Sequence, residues 1–330
     1  MRAAWYDRLG QAAEIIQLGE LPTPLPGPDE VLVRLHASGV NPADVKRRVP
    51  NPNAGMEFPR IIPNSDGAGV VAAIGAAVSP AWVGQRVWLF NGQRFRAFGT
   101  AAEYICLPSW HLSVLPAETS MAEGACLGIP CMTAHRAVFG SGPVAGKRVL
   151  VTGGAGAVGH YAVQWAKWGG AAQIIATVSN PIKAADATDA GADLVVNYRH
   201  DDVVGAVRAA TGGAGVDLVV EVDLAGNLDA TLACLAPAAT LACYASTGAL
   251  PDGFFFRLAR QNVVLQTIVL NTIPRPDMAR AQRDITSLLA SGLARHRIAG
   301  RFSLDQIVAA HEAVEAGEKR GTVVVEIVRD

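Results

Sequence analysis

The densest group of residues able to do chemistry is the run VLVTGGAGAVGHYAVQWAK, where Gly153, Gly156 and Gly159 recur at every third position. The run follows an apolar strand pattern and opens an amphipathic helix pattern. In that setting the first glycine permits a tight turn and the second lets backbone approach a pyrophosphate. The third lets helix and sheet pack closely, and the unpaired N–H groups at the helix start, Ala157 and Val158, face the anion. Glycine-rich strand-to-helix turns also serve packing alone, so the motif takes its meaning from the elements around it.

The next strand indicates which dinucleotide is expected. A free ribose 2′-hydroxyl is gripped by an acidic residue closing the second strand, roughly 20 residues on. From Gln173 to Lys183 this chain has neither Asp nor Glu and offers Ser179, Asn180 and Lys183 instead. Hydroxyl, amide and ammonium groups suit a 2′-phosphate, and charge-assisted hydrogen bonds contribute about 1.5–3 kcal/mol each. NADP(H) is therefore the expected cofactor. The alternative makes these three ordinary polar loop residues beside NAD(H).

The elements that must position these groups separate into three regions. Residues 1–124 contain short apolar or alternating runs (EVLVRLHASGV, AGVVAAIG, QRVWLF, AEYICL) punctuated by Pro and Gly, including 22–28 and 50–63, and predict a β-rich domain. Over 125–270, continuously apolar strands alternate with helices predicted at 157–169, 181–190, 201–211, near 226–235 and near 254–261. Six strands of that kind, ending with VVLQTIVL, predict a doubly wound parallel sheet that binds a dinucleotide. The tail, 271–330, holds helices at 277–291 and 304–316 and a last strand, TVVVEIV. It resembles the first region, so it is expected to return and complete it, leaving the middle region as an insertion.

Composition excludes several classes. The 330 residues are 50% hydrophobic and 17% charged, with 28 Lys+Arg against 29 Asp+Glu. Disorder is ruled out, and no basic field exists to hold a nucleic-acid backbone. No apolar run approaches the roughly 18–20 residues of a membrane span, and Asp7 and Arg8 sit where a signal peptide is apolar. Five scattered cysteines without a CxxC pair argue against a disulfide framework or a four-cysteine zinc site. A soluble cytoplasmic protein is expected.

Taken in order, GPDEVLVRLHASGVNPADVK, IPNSDGAGVVAAIG, VGQRVW, AEYICLP, ACLGIPCMTAHRAVF, VLVTGGAGAVG and AGADLVVNYR cover nearly the whole chain. In them the sequence resembles the medium-chain dehydrogenase/reductase superfamily, within its quinone oxidoreductase (zeta-crystallin-like) branch. The resemblance implies a GroES-like catalytic domain split around an inserted Rossmann domain. Zinc-dependent relatives place a cysteine and a histidine where this chain has Asn41 and Ser65, and an amide and a hydroxyl are poor zinc ligands. The structural zinc lobe needs four close cysteines, and between 85 and 115 only Cys106 exists. No metal is expected. Without a Lewis acid to stabilise an alkoxide, the favoured reaction is hydride transfer from NADPH to a quinone. Reduction of an α,β-unsaturated aldehyde or ketone is the alternative, and a non-catalytic, RNA-binding or structural NADPH-binding protein is the alternative from another class.

The resemblance also assigns roles. It places Asn41, Asp44 and Thr133 at the reacting end of the cofactor, Tyr198 near the adenosine phosphate, and Asn271 and the backbone around Ser246 beside the nicotinamide carboxamide. The plainer readings are an Asx turn for the first pair, a helix hydroxyl for Thr133 and a core-edge tyrosine for Tyr198. Lys46, Arg47 and Arg48 read first as a solvated charged face and second as an attraction for substrate. His135, Cys126 and Cys131 read as packing residues. The apolar strand VVLQTIVL would lie at a sheet edge, and its pairing with a second copy predicts a homodimer.

Overall fold

The computed structural model describes residues 1–50 and 55–328; positions 51–54, within the Pro- and Gly-rich stretch 50–63, lie outside the described residues. The chain divides into two compact units, Met1–Ile129 with Gln282–Asp330, and Pro130–Ala281.

The second unit is built on six strands: β1 (Arg148–Val151), β2 (Gln173–Val178), β3 (Leu194–Asn197), β4 (Val216–Glu221), β5 (Leu235–Cys243) and β6 (Val264–Thr267). All neighbours are parallel, in the order β3-β2-β1-β4-β5-β6. Apolar side chains on both faces explain this arrangement. Val149 and Leu150, Ile174 and Ile175, and Val219 and Val220 are all buried, as strands covered by helices on either side must be. Helices α1 (Ala157–Trp168), α2 (Pro181–Asp189), α3 (Val203–Ala210), α4 (Leu224–Cys234) and α5 (Phe254–Ala259) form the connections. The strand order reverses between β1 and β4, and ligands bind at such switch points, outside the carboxyl ends of the strands.

Two strands differ from the pattern read in the sequence. β5 begins at Leu235, ahead of TLACYAS, and β6 spans four residues of the eight in VVLQTIVL. Among the described residues β6 pairs only with Thr240–Cys243, and once β5 ends the chain turns into a short 3-10 turn at Leu270–Thr272. Hydrophobicity marks what can be buried, whereas pairing ends where the partner strand ends.

In the first unit the eleven-residue strand Glu30–Val40 is central. It pairs antiparallel with Asp66–Ile74, Tyr104–Pro108 and Thr322–Glu326. The last of these belongs to the C-terminal tail, which therefore completes the N-terminal sheet. The change between units falls after Ile129 and after Ala281, later than the changes of sequence pattern at 124 and 270. Within helix α6 (Arg275–Ala290), Asp277 pairs with Arg136 at 2.9 Å, while Gln282 donates to Leu112 O at 2.9 Å and Trp110 O at 3.2 Å. The division between the units at Ala281/Gln282 thus falls inside one helix, which a reading of periodicity alone misses.

Candidate active site

The glycine turn has the geometry the sequence required. Gly153 has φ +65°, and its N–H donates to Thr177 Oγ1 of β2 at 3.1 Å. Gly156 is the residue before helix α1 and carries no side-chain cap, so the first N–H groups of the helix, at Ala157, Val158 and Gly159, have no partner within it. A Cβ on Gly159 would lie 2.2 Å from Gly153 O, which fixes that position as glycine. A Cβ on Gly156 would meet only Gly153 O, at 3.2 Å, leaving the side facing the anion open.

At the end of β2, Asn180 caps helix α2 by accepting from Lys183 N at 2.9 Å, and the Lys183 ammonium donates to Ser179 Oγ at 3.1 Å. Capping thus turns Lys183 back onto Ser179 and sets a cation and a hydroxyl together. Beside them a cavity of about 410 Å³ runs along the carboxyl ends of the strands, lined by Thr152, Gly153, Thr177, Tyr198, Val222 and Asp223 among others. Tyr198 is half exposed at its rim. Asn271 has a buried Oδ1 without a hydrogen-bond partner among the described residues, an acceptor suited to a carboxamide N–H. The Ser246 hydroxyl is occupied, accepting from Ala225 N at 3.2 Å and donating to Gly248 O at 3.0 Å.

Sequence reasoning missed the carboxylate beneath this site. Glu221 closes β4, is fully buried, and accepts from Thr152 Oγ1, Asp223 N, Asn227 Nδ2 and Thr231 Oγ1 at 2.7–2.9 Å. Four neutral donors satisfy it and lock the loop after β4. The available signal was an acidic residue ending an otherwise apolar strand, VDLVVEV.

The first unit holds a second group of polar residues around helix Pro42–Arg48. Asn41 and Asp44 form a capping box at its start, Asn41 N donating to Asp44 Oδ2 at 2.9 Å. The Asx-type reading is therefore correct as far as it goes, but both residues reach further. Asn41 Nδ2 donates to Asp66 Oδ2 at 2.8 Å, and Ser65 Oγ donates to Asp44 Oδ1 at 2.8 Å. The two positions that hold zinc ligands in zinc-dependent relatives, Asn41 and Ser65, are thus each tied to a buried carboxylate. Among the described residues no group of three or more His, Cys, Asp or Glu could hold a metal ion. Thr133 belongs to the other unit, buried in the first turn of helix Met132–Phe139.

Burial pushes both carboxyls up. Asp66 lies well above the usual carboxylate range because of burial first and the Asp44 charge second, opposed by the bonds from Ile129 N and Asn41. Its Oδ1 is buried without a partner. Asp44 is raised less, since Arg47 opposes burial. The folded chain therefore holds a proton on Asp66 more tightly than the unfolded chain does. The stability this provides is complete below the ordinary carboxylate pKa and is lost as pH rises through the raised folded value. Asp66→Asn should flatten the fall of melting temperature as pH rises above the ordinary carboxylate range. An unchanged slope in thermal melts would mean that Asp66 titrates normally.

The cationic run is not a solvated face. Lys46 is exposed, but Arg47 is half-buried and donates to Ser65 Oγ at 3.2 Å and to Gln93 Oε1. Arg48 is fully buried, donating to Gly10 O at 2.9 Å and pairing with Glu315. Consecutive residues on a helix point in different directions, and of these three Lys46 alone faces water freely. His135 packs edge-on against Trp165, ring centroids 5.1 Å apart, and Cys126 and Cys131 are buried.

Fold and site together define a dinucleotide-binding protein of the two-domain kind, a GroES-like unit with an inserted dinucleotide-binding unit. Comparison with known proteins gives the family. Residues 27–117 match the alcohol dehydrogenase GroES-like domain and residues 157–287 match the zinc-binding dehydrogenase domain. The quinone oxidoreductase of Homo sapiens is 27% identical over 319 residues, covering 96% of this chain and 94% of the relative. A chloroplastic quinone-oxidoreductase homolog of Spinacia oleracea is 33% identical over 231 residues, 67% of each chain. A mycobacterial protein solved with NADPH superposes with a TM-score of 0.87 at 30% identity, over 99% of this chain and all of that one. The chain belongs to the medium-chain dehydrogenase/reductase superfamily, in its zinc-independent quinone oxidoreductase branch.

Proposed function

We propose that the protein is an NADPH-dependent oxidoreductase that reduces a quinone. The single observation that carries the cofactor choice is the Lys183–Ser179 pair closing a strand without any carboxylate, beside the open Gly156 turn. In this reading the N–H groups of Ala157, Val158 and Gly159 hold the pyrophosphate and Ser179 and Lys183 hold the 2′-phosphate. Asn180 keeps Lys183 in place, and Tyr198 covers the adenosine. Asn271 Oδ1 accepts from the carboxamide beside the backbone at Ser246. The cofactor supplies a hydride equivalent when bound. Asn41, Asp44 and Thr133 orient the acceptor and the nicotinamide, with Asn41 and Ser65 serving as hydrogen-bonding groups rather than metal ligands.

An acceptor that is already electron-poor asks little of the protein beyond positioning and hydrogen-bond donors. α,β-Unsaturated carbonyls share that property and form the second substrate reading. No helix among the described residues is long and apolar enough to cross a membrane, and a cytoplasmic location is part of the proposal. So is a homodimer through β6, whose outer edge is unpaired among the described residues and carries the half-exposed Val264.

Loss of NADPH absorbance with a panel of quinones, enones and enals tests the activity. Cofactor binding with no turnover on any of them would favour a non-catalytic NADPH-binding protein. For the cofactor, Lys183→Gln should weaken NADPH binding about tenfold or more while leaving NADH binding unchanged. Fluorescence titration of both dinucleotides measures this, and equal losses for the two would remove the 2′-phosphate role.

A further inference from the structure

We infer that the natural acceptor carries a carboxylate, bound in a cavity of the first unit by Arg47 and Arg94 with Lys46 at its edge. The inference rests on the reductase reading and narrows its substrate class. The cavity measures about 280 Å³; Leu9, Val49, Met56 and Ile61 give it an apolar wall, and Lys46, Arg47, Arg94 and Glu57 supply its charges. Three cations against one carboxylate leave an excess of positive charge in a space sized for a small conjugated molecule.

The two guanidiniums are incompletely neutralised. Among the described residues Arg47 hydrogen-bonds only the neutral acceptors Ser65 Oγ and Gln93 Oε1, and Asp44, whose charge it feels, is engaged by Ser65 and by the backbone of Asn41. Arg94 meets Glu57 at a long 3.5 Å, and its Nε is buried without a partner among the described residues. Its proton is held less tightly than normal because of burial and the charge of Arg47, with Glu57 opposing. The two cations therefore repel one another across the cavity they line. Arg94 is also held by unusual local structure. Its guanidinium lies 3.6 Å from the ring centroid of Phe95, and Phe95 has φ +56°, a left-handed conformation costly for an aromatic residue. A neutral quinone leaves the repulsion in place. A carboxylate between the guanidiniums removes it and forms charge-assisted hydrogen bonds. The position of Lys46 in the last turn of its helix is explained by the helix dipole alone; that of Arg94, on a separate loop, is not.

The test compares 3-benzoylacrylate, a conjugated ketone with a carboxylate, with its methyl ester, which has the same alkene and no charge. Each takes one hydride and one proton across the alkene, with NADPH as the two-electron donor, giving 3-benzoylpropionate or its ester. The ester is intrinsically the better hydride acceptor, so chemistry alone favours it. The inference expects kcat/KM for the acid to exceed that for the ester about tenfold or more at low ionic strength, and this preference to shrink with salt. Arg94→Gln should abolish the preference and Lys46→Gln should reduce it. Ester turnover as good as or better than that of the acid overturns the inference while leaving the reductase reading intact. Calorimetric binding of 3-benzoylpropionate against its methyl ester reads the cavity without turnover. Tighter binding of the acid, lost in Arg94→Gln, supports the assignment even if the reductase reading fails, and equal binding overturns it.

Discussion

Gly156→Ala should cost about 100-fold in NADPH affinity without lowering the melting temperature, and Gly159→Ala should lose both. The two glycines are three residues apart but meet different surroundings. A methyl at 156 contacts only Gly153 O, at 3.2 Å, and otherwise projects into the space where a pyrophosphate approaches backbone. Displacing the phosphate from two N–H groups forfeits two charge-assisted bonds of about 1.5–3 kcal/mol each, and the lower end of that range, about 3 kcal/mol in all, sets the 100-fold expectation. A methyl at 159 lies 2.2 Å from Gly153 O and 2.9 Å from its carbonyl carbon, so backbone must move. Overpacking of this kind costs about 1–3 kcal/mol and distorts the same turn. Fluorescence titration with NADPH and thermal melting separate the two effects. Undiminished affinity in Gly156→Ala would remove the glycine turn as the pyrophosphate site.

The second large effect is on stability. Arg48→Met should destabilise the first unit by about 3 kcal/mol, because Arg48 is fully buried and answers Glu315, Gly10 O and His311 at once. Removing one partner of a buried pair costs about 3–5 kcal/mol; Glu315 keeps some contact with water, 28% of its side chain, which places the value at the lower end. Glu315→Gln should cost less, and the double variant little more than Arg48→Met alone. Thermal melts of the three variants form the cycle, and additive losses would show that the pair is not coupled.

The same cluster makes stability sensitive to acid. Burial first, and Arg48 second, push His311 down to about 3, so the folded chain holds it neutral where the unfolded chain binds a proton near pH 6.5. Its contribution is complete above pH 6.5 and is lost as pH falls from there toward 3, the reverse of the Asp66 dependence.

Much of this molecule was legible from the chain alone, for identifiable reasons. Strands that are apolar on both faces have few alternatives to a helix-covered parallel sheet, so the run from RVLV through QIIATV to VDLVVE specified the inserted domain. The turn at Gly153–Gly159 was legible because a tight turn and close backbone approach admit one residue type. The missing acid after QIIATV carried the cofactor expectation because the 2′-position is read by a short, local stretch. Tyr198, Ser246 and Asn271 came from resemblance, and only their surroundings distinguish them: an exposed rim, an occupied hydroxyl and an unpartnered amide oxygen.

Other features were decided only by the fold. Nothing local distinguishes Lys46, Arg47 and Arg48, yet helical rotation sends one outward, one toward Ser65 and one into the core beside Glu315. Asp44 and Asp66 are 22 positions apart, and their shared burial, with the raised proton affinity it causes, exists only once Asn41 and Ser65 bridge them. Arg94 reads as a loop residue until Arg47 is brought to the same cavity. Sequence determined what depends on periodicity and on the steric limits of single residues. Tertiary structure decided every property that depends on charge in a low-dielectric place, because the field at a side chain is set by neighbours distant in the chain.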